Sequence, residues 1–100
     1  MKLILTEAAL ADLRAISAYT LETWGEEQEA RYIQQMWSRM ELMRANPNCG
    51  RRRDDLFPGC RLVAEGRHVI LFRQNRKAVE VIRVLHSAMD FRRHLPANQA

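Results

Sequence analysis

The sequence predicts an α+β fold of order β-α-α-β-β-β, in which an αα-hairpin packs on a small, mainly antiparallel sheet that ends in a short C-terminal tail. Three observations carry this reading. Residues 7–45 repeat apolar side chains at helical spacing, with one break at Gly25. Residues 46–60 hold two of the three prolines and two of the four glycines, which marks a loop. Residues 60–86 then run as three short β-like stretches separated by turn residues.

Each element follows from its residues. "KLIL" at residues 2–5 is a candidate first strand. Thr6 is placed to cap a helix, with Glu7 in the first turn where a negative charge suits the helix dipole. Ala9, Leu13, Ile16, Thr20 and Trp24 then form one stripe, flanked by Leu10 and Ser17. Gly25 stops this helix, and "EEQ" opens the next with acidic residues in its first turn. The second stripe is Ala30, Ile33, Met36, Trp37, Met40 and Met43, ending at Asn46-Pro47. So short a break folds the two helices back on each other. Both tryptophans sit on stripes and are expected in the core, and Asp12 is expected to form a salt bridge across the hairpin.

After the loop, "CRLVA" precedes a tight turn at Glu65-Gly66, "RHVILFRQ" runs to a second turn at "NRK", and "AVEVIRVLH" closes the sheet. Strict alternation puts Val79, Val81, Arg83 and Leu85 on one face and Ile82, Val84 and His86 on the other. His68, just after a turn, reads as a surface or packing residue. In the tail, Met89 and Phe91 are expected to anchor a short helix, while Arg92, Arg93 and His94 face solvent.

One hundred residues suffice for a single domain, residues 1–100, with one core. The apolar fraction of 47% with 28% charged is that of a soluble globular protein. No run approaches the roughly 20 apolar residues that span a bilayer. The N-terminus turns acidic at Glu7 too early for a secretory signal. A cytoplasmic protein without a membrane role is the simplest expectation. Cys49 and Cys60 lie far from any further cysteine, so no zinc site, metal or cofactor is expected and the thiols read as structural.

Charge is uneven. Residues 1–50 hold five Lys/Arg against seven Asp/Glu, and residues 51–100 hold eleven against five. With a pI near 9.7, a basic half suggests an acidic partner, with a solvated surface as the alternative. "RRRDD" at residues 51–55 is partly self-neutralising. Ala8, Ala11, Ala15 and Ala18 lie away from the Leu13 stripe, bordered by Tyr19. They serve either as helix formers on an exposed face or as a smooth surface for a partner helix.

The patterns "AxxDLxxIxxYTxxxWG" from Ala9 to Gly25, "NPNCGRRRDDLFPGCR", "GRHVILFR" and "VIRVLHSAMD" together resemble the ParE branch of the RelE/ParE toxin superfamily. The resemblance runs over nearly the whole chain in order. It implies a bacterial type II toxin, held inactive by a cognate antitoxin whose acidic and apolar C-terminal segment wraps it in a hetero-oligomer. It implies DNA gyrase as the target, with blocked replication and growth arrest. RelE-type relatives instead cut mRNA in the ribosome, and a relative without toxicity that only binds antitoxin is a third reading.

Candidate residues follow from this weighing. Metal-free RNA cleavage needs a base, cationic donors for the phosphorane and an acid. Arg61, Arg83 and His86 are the set this chain offers if it is a ribonuclease. Against that role, neither Tyr19 nor Tyr32 falls in the sheet region, and Asp90 sets a negative charge where an RNA backbone would lie. A binding protein without catalytic residues is therefore expected. Its target-binding candidates are Arg61, Arg83, His86, Met89, Asp90, Arg92 and Arg93, and its antitoxin-binding candidates are Ala11, Ala15, Ala18 and Tyr19.

Overall fold

The computed structural model describes residues 1–95. Strand β1 (Lys2–Leu5) leads through Thr6 into helix α1 (Glu7–Trp24) and then α2 (Glu26–Ala45). Four further strands follow: β2 (Arg51–Arg52), β3 (Arg61–Glu65), β4 (His68–Gln74) and β5 (Ala78–His86). A 3-10 helix, Phe91–His94, closes the described chain. The strand order is β1-β5-β4-β3-β2. Only β1 and β5 run parallel; the other neighbours are antiparallel, so the expected α+β hairpin-on-sheet architecture holds with one additional strand.

Thr6 joins strand to helix. Its backbone N–H donates to Val81 O at 3.0 Å and its hydroxyl donates to Ile82 O at 2.7 Å. The same hydroxyl oxygen accepts from Ala9 N at 3.0 Å, capping α1 as the sequence predicted. Gly25, at φ 92°, turns the chain between the helices. The link across the hairpin is Ser17 donating to Glu29 Oε2 at 2.6 Å, not Asp12.

One face of the sheet carries the helices. Ala9, Leu13 and Ile16 of α1 and Met36, Met40 and Met43 of α2 pack there on Val63, Ile70, Phe72, Val79, Val81 and Val84. Two expected core residues lie outside this layer. Trp24 is 66% exposed because α1 ends beside a hairpin tip whose residues, 21–27, all face solvent. Trp37 is 39% exposed and Ala30 is exposed. The face of α2 turned to the sheet is centred on the three methionines with Tyr32 and Ile33 beside them, which rotates Ala30 and Trp37 to its margin.

The opposite face is covered by chain the sequence left as loop and tail. Leu56, Phe57 and Cys60 pack there with Leu62, Val69, Leu71 and Leu85, joined by Ile82, Phe91 and Leu95. Phe91 thus anchors the tail as expected, but its companion is Leu95 rather than Met89, which is exposed. Arg92 is exposed as expected, and it also donates to Asp55 O and Asp55 Oδ2 at 3.0 and 2.9 Å, tying the tail to the loop. The part of the tail at residues 96–100 lies outside the described residues. Burial pushes the Cys60 thiol up to about 12, and Cys49 packs on the helix side, so both cysteines are free.

Two local departures set the strand phases. The β3–β4 hairpin turns at Gly66-Arg67, one residue later than expected, because Glu65 still pairs with His68. Gly66 supplies the positive φ of 59° that a two-residue turn requires. In β5 the register jumps: Arg83 faces Leu71 but Val81 faces Phe72, which leaves Ile82 as a bulge. Beyond it the alternation is inverted. Val84 joins Val79 and Val81 under the helices, and Leu85 goes to the far face with Ile82.

Asp12 holds the bulge. Its Oδ2 accepts from Val84 N at 2.9 Å, and its two oxygens accept from Arg83 Nε and Nη2, each at 2.7 Å. Substituting Asp12→Asn removes the charge and half of this fork. We expect a loss of about 1–3 kcal/mol in urea unfolding, with the Asp12→Asn/Arg83→Met double variant losing less than the sum of the single losses. At Gly66, a Cβ would sit 2.5 Å from Tyr32 Cε1. Gly66→Ala should therefore destabilise by more than about 1 kcal/mol, and adding Tyr32→Ala should relieve the steric part of the coupling but not the backbone strain.

Candidate functional site

The end of β5 is where the predicted acid–base residues meet others that were not predicted. His86 pairs across the strands with His68, and their rings meet edge to face with centroids 5.4 Å apart. Tyr32 reaches the same place from α2, where its hydroxyl lies 2.7 Å from His68 Nδ1 and accepts from Arg67 N at 3.0 Å. A tyrosine on a helix is thus part of the sheet-end cluster after all. Helical periodicity put Tyr32 next to the core stripe, but only the packing of α2 over the β3–β4 turn delivers its hydroxyl to a histidine.

Protonation states follow from these contacts. Tyr32 has one proton, and of its two acceptors His68 Nδ1 at 2.7 Å is closer than Glu65 O at 3.4 Å. The tautomer of His68 decides which partner donates in the short Tyr32–His68 contact. His86 Nδ1 accepts from Ala88 N at 3.1 Å. Burial pushes the Tyr32 hydroxyl up and keeps it protonated. Burial foremost, and the charge of His86 next, push His68 below its ordinary 6.5, with Asp12 opposing.

The remaining candidates are dispersed. Arg83 is engaged by Asp12 and also donates from Nη1 to His94 O; the Arg83 and Asp12 side chains are 21% and 13% exposed. Its partner Asp12 keeps the guanidinium protonated by hydrogen bonding and charge. Arg61 donates to Asn48 O at 2.9 Å. With β4 between them, Arg61 opposite Phe72 and Arg83 opposite Leu71, the two arginines do not converge on one point. Asp90 caps the 3-10 helix by accepting from Arg92 N at 3.2 Å, and Arg93 is exposed. Met89 is exposed beside them.

Among the described residues nothing covers the alanine face of α1. Ala11, Ala15 and Ala18 are exposed, and Tyr19 is 66% exposed, with Leu21 and Trp24 further along the same helix. Large exposed apolar side chains of this kind mark contact surfaces more often than catalytic ones. Among the described residues no group of three or more His, Cys, Asp or Glu side chains is arranged to hold a metal ion. Among the same residues no helix is long and apolar enough to cross a membrane.

The His68 environment has a measurable consequence. The unfolded chain takes up a proton at His68 before the folded one does, so the stabilisation is present above about pH 6.5 and is lost as pH falls through the lower folded value. We expect His68→Gln to flatten the decline in melting temperature between about pH 7.5 and about pH 5.5, and nuclear magnetic resonance titration to show His68 protonating at lower pH than in a peptide.

Comparison with known proteins agrees with this geometry. The family described as ParE toxin of type II toxin-antitoxin system, parDE, matches residues 3–91. Toxin ParE1 of Caulobacter vibrioides is 38% identical over 91 residues, covering 91% of this chain and 94% of that protein. Toxin ParE1 of Mycobacterium tuberculosis is 34% identical over 93 residues, covering 92% and 95%. A chain of the chromosomal ParDE TA system from P. aeruginosa superposes with a TM-score of 0.74 at 26% identity, over 86% of this chain and 95% of that one. A YoeB/ParE toxin from Agrobacterium tumefaciens shares the fold alone, with a TM-score of 0.59 at 17% identity, over 86% and 98%. The chain belongs to the ParE toxin family of type II toxin-antitoxin systems.

Proposed function

We propose that this chain acts as a single cytoplasmic toxin domain that inhibits DNA gyrase by binding it, and that a cognate antitoxin neutralises it. Family membership supports the toxin–antitoxin pairing, and the fate of Arg83 supports binding over cleavage. A cleavage centre built on His86 needs a cation free to face the phosphorane. Arg83, three residues before His86, spends Nε, Nη2 and Nη1 on Asp12 and His94 O. Its charge is matched before any substrate arrives. The exposed Ala11, Ala15, Ala18 and Tyr19 face of α1 is the surface we assign to the antitoxin's apolar segment.

One observation favours the second reading, a ribosome-dependent endoribonuclease. His68 and His86 are a pair of imidazoles in contact, one of them backed by a tyrosine hydroxyl, which is acid–base equipment. The two readings separate cleanly. Purified toxin added to gyrase and supercoiled plasmid is expected to accumulate linear, enzyme-linked DNA, and mRNA in a translating extract is expected to stay intact. Unaffected gyrase together with mRNA cutting that disappears in His68→Ala or His86→Ala would transfer the assignment to the ribonuclease. Unimpaired growth on expression without antitoxin would leave an antitoxin-binding relative.

A further inference from the structure

A second concave surface lies away from the His68–His86 cluster, where the loop after α2, the ends of β2 and β3, and the β4–β5 turn meet. It encloses about 520 Å³ and is lined by Arg52, Arg61, Arg76, Asn48, Gln74 and Asn75 around Gly59. Each arginine comes from a different segment, so no single run of sequence announces the cluster.

Two of its three charges have no acidic partner among the described residues, and the third is paired at the surface. Arg52 and Arg61 are direct cross-strand partners, a placement in which like charges repel. Asp54 takes up two donors of Arg52, at 2.9 and 3.2 Å, from outside the lining. Arg61 has only the neutral carbonyl of Asn48, and Arg76 makes no hydrogen bond or ion pair among the described residues. No acidic side chain lines the cleft. Asn75 uses its carbonyl oxygen on Lys77 N and Ala78 N, which leaves its amide NH2 available to donate.

The lining selects among anionic occupants. Guanidinium and amide donors suit phosphate and sugar oxygens. Among the described residues no aliphatic or aromatic side chain lines the cleft. An acidic peptide would lack the apolar pockets in which such segments anchor. A single strand would lack aromatic faces on which to stack its bases. A duplex backbone needs neither.

We propose that the Arg52–Arg61–Arg76 cleft is a binding site for the phosphodiester backbone of double-stranded DNA, without base readout. The site does not rest on gyrase being the target. It gives the toxin a contact of its own to DNA, so that a complex with a DNA-bound protein is held at two places.

The test is fluorescence anisotropy of the full chain with a short labelled duplex over a salt series. Two newly neutralised phosphates give a log–log salt slope of about −1.8, or about 12-fold weaker binding at 200 mM than at 50 mM salt. Arg61→Gln and Arg76→Gln should each reduce the slope by about one and Arg52→Gln by less, because Asp54 already pairs with it, while Arg76→Lys keeps it. Arg14→Gln, on the exposed surface of α1, is the control for net charge and should leave the slope unchanged. Arg76 lies in an exposed turn, and equal melting temperatures for its variants confirm that the fold is intact. Equal effects of Arg14→Gln and Arg76→Gln would overturn the site. So would tighter binding of the single strand or of polyglutamate than of duplex, or no duplex binding at low salt.

Discussion

The Asp12 carboxylate on the β5 bulge is the contact on which the rest of this structure depends. Strand β1 pairs with β5 only as far as Leu5 and Val81, and α1 begins immediately afterwards. The next polar groups of β5 would lie on an open strand edge if the helix did not serve them. Thr6 takes the Ile82 carbonyl and Asp12 takes the Val84 amide, so α1 continues the ladder with side chains. That arrangement gives the Ile82 carbonyl and the Val84 amide partners where β5 carries an extra residue. The bulge in turn inverts the strand phase, sending Val84 toward the helices and Leu85 to the far face.

Two hydrophobic layers and the sheet-end cluster follow from that inversion. With Val84 under the helices, His86 two residues later shares its side, directly across from His68. Tyr32 then completes the row from α2. On the other side, Leu85 and Ile82 give the loop residues Leu56 and Phe57 something to pack on. Arg83, caught between the phases, turns to Asp12 and to the 3-10 helix, tying α1, β5 and the tail together.

The basic half of the chain is less exposed as charge than its composition suggests. Arg52 pairs with Asp54, Arg53 with Asp55, Arg73 with Glu80, Arg83 with Asp12 and Arg92 with Asp55. Most of these pairs are at the surface, where each adds little to stability. Their larger effect is to cancel local potential, so that position decides where the field is strong. Charge without an acidic partner among the described residues gathers at Arg61 and Arg76, beside the Arg52–Asp54 pair.

Local chemistry in the sequence determined the helices and their caps, the loop, the three long strands and the family. Thr6, Gly25 and the methionine stripe act through neighbours within a turn or two, and the family motifs are themselves linear. The sequence also located His86 at a strand end and read the RRRDD run as partly self-neutralising, which the Arg52–Asp54 and Arg53–Asp55 pairs match. Its failures share one cause. Trp24 and Trp37 carry helical periodicity but no information on where the sheet beneath them stops. The two-residue β2 exists because the edge of β3 is there to receive it. The Ile82 bulge exists because Asp12, some seventy residues earlier, is in reach of Val84. Tertiary structure alone decided the phase of β5, the meeting of Tyr32, His68 and His86, and the separation of Arg61 from Arg83. Each of these depends on which segments pack side by side, and spacing along one segment does not encode that.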